Sequence, residues 1–81
     1  MDTEKFKKIC KREINKYYNN ELEEKDIYVV WLVKVLQNNK ALLSTNVEDK
    51  KYYEITYNGD EKELYVDAYK KEENKLVKVE D

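Results

Sequence analysis

Adjacent carboxylates such as Glu48-Asp49, Asp60-Glu61 and Glu72-Glu73, one thiol (Cys10) and a cluster of cations (Lys7, Lys8, Lys11 and Arg12) are the residues whose types could do chemistry in this chain. Paired carboxylates can divide acid and base roles, a thiolate can attack an electrophile, and clustered cations can hold phosphate. None has the neighbours its chemistry needs. The chain contains no histidine, so the usual general base near neutrality and the commonest metal ligand are both missing. These three pairs fall where turns are expected, and there the default state of a carboxylate is solvated. Cys10 falls on an apolar helical stripe, the setting of an inert buried thiol. A single glycine cannot build a phosphate-cradling loop. The expectation is a protein with no catalytic residue, no metal and no cofactor.

The elements that carry these residues follow from periodicity. Phe6, Ile9, Cys10, Ile14, Tyr17 and Tyr18 recur every three or four residues, which predicts a helix over about 3–19 with the lysines on its other side. Asp2 or Thr3 can cap its start and Asn19-Asn20 can end it. Leu22 is the one core residue of the acidic connector that follows. From Ile27 the period becomes two and β-branched and aromatic residues dominate. Strands are expected over about 27–37, 40–45, 52–57, 62–71 and 75–79. Asn38-Asn39 reads as the first tight turn, setting Val35 opposite Leu42. The second hairpin turns around Asn58-Gly59, where glycine can supply a positive φ. A loop of Asn58 to Glu61 sets Ile55 opposite Leu64 and Tyr53 opposite Val66. The fold class is α+β, one N-terminal helix packed on a four- to five-stranded antiparallel meander sheet, in a single domain over 1–81.

Composition bounds the partners. The net charge of −2 argues against a dedicated nucleic-acid binder, which needs a basic excess to displace phosphate counterions. The charge is unevenly spread: Thr3 to Tyr18 carries +4, and Asn46 to Asp81 carries −4. With one cysteine there is no internal disulfide, which favours a reducing, cytoplasmic setting. No signal peptide is visible, and the longest apolar run, Ile27 to Val33, is too short to span a bilayer.

The strands carry more apolar surface than one helix can cover. Unbroken alternation puts Ile27, Val29, Trp31, Val33 and Val35 on one face and Tyr28, Val30, Leu32 and Leu36 on the other. In the second hairpin Tyr53, Ile55, Leu64, Val66 and Ala68 suit the core, which sends Tyr52, Glu54, Tyr65, Asp67 and Tyr69 to the opposite side. Tyrosine offers a large rigid contact area at low entropy cost and is enriched at interfaces. Tyr28, Val30, Leu32, Tyr52, Tyr65 and Tyr69 are therefore the expected partner-binding residues, and Lys7, Lys8, Lys11 and Arg12 the expected anion-binding set.

The strings DIYVVWLVKVLQNNKALLST (Asp26 to Thr45) and YYEITYNGDEKELYVDAYKK (Tyr52 to Lys71) resemble a family of small proteins of unknown function from phages and prophages of Gram-positive bacteria. The resemblance covers about half of the chain and marks turns and core, so no functional residue is carried over. It implies the cytoplasm of an infected or lysogenic cell, where small phage domains often bind host or defence machinery. The expected function is a non-enzymatic interaction protein that binds a bacterial or phage protein, with a second copy as another occupant of the same face and no membrane involved. The alternative is a binder of single-stranded nucleic acid or nucleotide that uses the basic helix and the sheet tyrosines.

Overall fold

The computed structural model describes residues 1–80. It has one helix, α1 (Thr3–Asn15), continued by a 3-10 turn over Lys16–Tyr18, and four strands: β1 (Ile27–Val35), β2 (Asn38–Thr45), β3 (Lys51–Asn58) and β4 (Glu63–Lys70). The strands form one antiparallel sheet in chain order, the expected α+β meander. Asp2 caps the helix by accepting the Lys5 N–H at 2.9 Å. Asn19 and Asn20 end it in the left-handed region at φ 56° and 59°. The Asn15 amide then clamps the connector, donating to the Leu22 carbonyl at 2.9 Å and accepting the Leu22 N–H at 3.0 Å.

The core lies between the helix and one face of the sheet. Phe6, Cys10 and Ile14, four residues apart on α1, are fully buried against Ile27, Ala41, Leu43, Tyr53 and Ile55. Burial pushes the Cys10 thiol up to about 12, so it is protonated and inert at neutral pH. Tyr53 is the largest buried side chain, and its hydroxyl is not left unsatisfied. It donates to the Tyr18 hydroxyl at 2.8 Å, which donates to Asp49 at 2.5 Å. The Tyr17 ring packs on Tyr53 with centroids 5.1 Å apart. Asp49, from one of the turn pairs, thus serves the core.

The first hairpin departs from expectation in two ways. Its turn is Leu36-Gln37, not Asn38-Asn39; Val35 faces Asn38, and Leu36 takes φ 56°. Both asparagines are occupied elsewhere, Asn38 accepting the Gly59 N–H at 3.0 Å and Asn39 buried in β2. In addition, β1 slips by one residue between Val29 and Trp31, where Val29 faces Leu43 and Trp31 faces Leu42. This β-bulge leaves Val30 unpaired and reverses the facing of every later residue. Leu32 consequently faces Ala41 on the helix side and is half-buried against the core, so it leaves the expected partner-binding set. Trp31, Val33 and Val35 move to the other face.

In the second hairpin Ile55 faces Val66 and Tyr53 faces Ala68, a register two residues from the expected one. A slip of two preserves which side each residue faces, so Tyr53, Ile55, Leu64 and Val66 are on the core side as expected. Gly59 is not in the positive-φ region; Lys62 is, at φ 55°. What requires glycine is proximity, because a Cβ on residue 59 would overlap the Gln37 carbonyl oxygen. The two hairpin turns are clamped there, Gln37 donating to Asp60. Gly59→Ala should force them apart and cost about 1–2 kcal/mol, read as a lower urea midpoint with an unchanged slope.

Residues 75–79 form no strand. The last backbone bond of this region runs from the Lys71 N–H to the Lys50 carbonyl, and beyond it Leu76, Val77 and Val79 are exposed. The helix side of β4 is already thinly covered, Leu64 and Val66 half-buried and Ala68 exposed. A fifth strand there would have no layer beneath it to repay the ordering of its backbone.

One buried group is out of place. Asn39 is 1% exposed, and neither polar atom of its side-chain amide has a hydrogen-bond partner among the described residues. An unsatisfied buried amide costs more than an apolar group of similar size. Asn39→Leu should therefore raise stability by about 1 kcal/mol, measurable as a melting temperature several degrees higher.

Candidate functional site

The face of the sheet turned away from the helix is built by four rows of alternate residues. Its first row, on β1, is Tyr28, Val30, Trp31, Val33 and Val35, all apolar or aromatic and 41–60% exposed. The bulge produces this row by placing Val30 and Trp31 on the same side. Next come Asn38, Lys40, Leu42 and Ser44 on β2, then Tyr52, Glu54 and Thr56 on β3, and Glu63, Tyr65, Asp67 and Tyr69 on β4. No helix covers this side, and four strands of eight or nine residues give it a footprint of roughly 500 Å².

The cross-strand register decides its electrostatics. Tyr52 faces Tyr69, Glu54 faces Asp67 and Thr56 faces Tyr65. Two carboxylates are thus directly opposed between tyrosines, an arrangement that destabilises a sheet. Lys40 lies 3.5 Å from Glu54 on the β2 side. The Asp67 carboxylate has no ion pair and no hydrogen bond among the described residues. At the end of β4 the Tyr65 hydroxyl donates to Glu63 at 2.6 Å, and this carboxylate acceptor raises its pKa. A shallow depression of about 410 Å³ opens between Leu42, Tyr52, Glu54 and Tyr69, with Lys70 and Lys71 at its edge.

Five of the six expected partner-binding residues, Tyr28, Val30, Tyr52, Tyr65 and Tyr69, come together on this face. Leu32 does not. Trp31, Val33 and Val35 were missed for want of any signal of the bulge: the run from Ile27 to Val33 is apolar at every position, so either facing fits the pattern equally well.

The expected anion set divides. Lys8, Lys11 and Arg12 line a groove of about 280 Å³ with Asn15, Glu24 and Ile27, whereas Lys7 sits elsewhere and pairs with Glu4 at 3.4 Å. The groove contains a carboxylate of its own, Glu24, and Arg12 is 3.4 Å from Glu13. It lies beside the helix, on the other side of the sheet from Tyr52, Tyr65 and Tyr69. Among the described residues no group of three or more cysteine or acidic side chains is arranged to hold a metal ion, and no helix is long and apolar enough to cross a membrane.

Residues 4–79 match the model of a family of unknown function, DUF6275. No curated protein and no solved structure matches the chain.

Proposed function

We propose that this chain, which belongs to the DUF6275 family, is a non-enzymatic binding module that docks another protein on the open face of its sheet. The observation that carries this reading is the β1 row, where Tyr28, Val30, Trp31, Val33 and Val35 stand side by side in solvent with Tyr65 and Tyr69 across the sheet. Folding does not require them there, and contiguous apolar surface of this extent marks an interaction site. In the phage or prophage setting that the sequence strings imply, the partner is a host, defence or phage protein in the bacterial cytoplasm.

The nucleic-acid alternative needs one strand to touch the basic helix and the tyrosines together. They lie on opposite sides of the sheet, and the tyrosines stand among Glu54, Glu63 and Asp67, which repel a phosphate backbone. Protein binding is the better-supported reading. The test is a pull-down from infected cells with the wild-type chain, a Trp31→Ser/Tyr65→Ser variant and a Lys8→Glu/Lys11→Glu variant. A discrete protein captured by the wild type and the helix variant, and lost with the sheet variant, is the expected result. Capture that survives the sheet substitutions and fails with the helix ones would overturn it.

A further inference from the structure

We infer that the occupant of the open face is a protein segment carrying arginine or lysine beside apolar side chains, and not a second copy of this chain. The inference rests on the docking role proposed above and specifies the chemistry of the partner.

The face has two halves. Its β1 row is uncharged and offers apolar contact along its whole length. Its β3 and β4 rows carry Glu54, Glu63 and Asp67; Lys40 is engaged with Glu54, Lys70 and Lys71 stand at the far edge beside Tyr69, and no cation pairs with Asp67 among the described residues. The opposed pair Glu54 and Asp67 is a cost in the isolated chain and would be relieved by a cation placed over it. Tyr65 and Tyr69 stand two residues to either side of Asp67, with Tyr52 across from Tyr69. A guanidinium resting on that carboxylate lies within reach of tyrosine faces on both sides, which combines a charge-assisted hydrogen bond with cation–π attraction. Lysine gains the same charge contact without the planar fit.

A second copy does not meet these needs. Two such sheets stacked about an axis across the strands would bring β1 onto β1 and the acidic rows onto each other. About an axis along the strands, the uncharged β1 row would cover Asp67 and Glu63 and strip their water with no cation in return. The basic helix of another copy presents charge without apolar residues to fill the β1 row, and such a head-to-tail contact builds a ring or a filament in place of a two-fold pair.

The test uses the full chain and three peptides: an extended peptide alternating valine with arginine, and the same peptide with glutamate or with serine in place of arginine. Binding is followed by amide chemical shifts. The arginine peptide is expected to shift Tyr52, Glu54, Tyr65, Asp67 and Tyr69 together with Trp31. The glutamate peptide should leave them unmoved. Glu54→Gln/Asp67→Asn should weaken the arginine peptide by about tenfold or more. That variant removes a like-charge pair, so its melting temperature should hold or rise, which separates lost binding from lost folding. Equal binding of the arginine and glutamate peptides, arginine-peptide shifts confined to other surfaces, or a double variant that binds as tightly as the wild type would each overturn the inference. If the serine peptide occupies the face better than the arginine one, the docking face stands and its basic occupant falls; if no peptide moves an open-face signal at millimolar concentration, both fall. Sedimentation of a dimer that dissociates on Trp31→Ser substitution would also overturn it, in favour of the second copy.

Discussion

Tyr53→Ala is expected to remove about 3–5 kcal/mol of stability, a large share of what a domain of this size possesses. The ring is fully buried between the helix and β3 and contacts Tyr17 and Tyr18, so truncation empties the centre of the core. Tyr53→Phe keeps the ring and removes the first member of the hydroxyl chain through Tyr18 to Asp49, for a smaller cost of about 1 kcal/mol. Equilibrium urea unfolding of the two variants separates packing from hydrogen bonding. The same chain of hydroxyls sets an alkaline limit. Burial, and then donation to the Tyr18 hydroxyl, raises the Tyr53 pKa well above 10; burial, and then donation to Asp49, raises that of Tyr18. For a group raised on folding, the stabilisation is complete below the unfolded pKa near 10 and is lost as the pH climbs from there toward the folded value. Melting temperatures above pH 10 should therefore fall less steeply in Tyr53→Phe than in the wild type.

The second large effect distinguishes two neighbours. Leu32→Ser should cost about 2 kcal/mol and lower the melting temperature by roughly 10 °C, because Leu32 packs on the core beside Ala41. Trp31→Ser should cost less than about 1 kcal/mol, since the indole stands on the open face. Unbroken alternation predicts the reverse order. Thermal denaturation of the two single variants followed by circular dichroism decides between them, and a larger loss for Trp31 would count against the bulge.

That reversal shows where sequence reasoning succeeded and where it stopped. The helix was legible because Phe6, Cys10 and Ile14 repeat at its period and the asparagine pair closes it. The facing of β3 and β4 was legible although their register was not. Apolar and polar residues alternate there, so a pairing error of two residues changes contacts without exchanging faces. In β1 the alternation carries no information, since residues 27 to 33 are apolar at every position, and a one-residue bulge then reverses the outcome unannounced. The first turn was misplaced for a related reason. Asparagine favours the left-handed region, yet Leu36 adopts it, while Asn38 is bonded to Gly59 and Asn39 is buried in β2. The expected final strand had the right alternation and no core to join.

The bulge also fixes what light absorbed by this protein can report. Its one tryptophan, Trp31, is outside the core on the face proposed for docking, while the buried aromatic residues are Phe6 and Tyr53. Indole emission follows the solvent around the ring, and a ring 41% exposed in the folded chain loses that contact when a partner covers it. Excitation selective for tryptophan is thus a direct optical signal for occupancy of the open face.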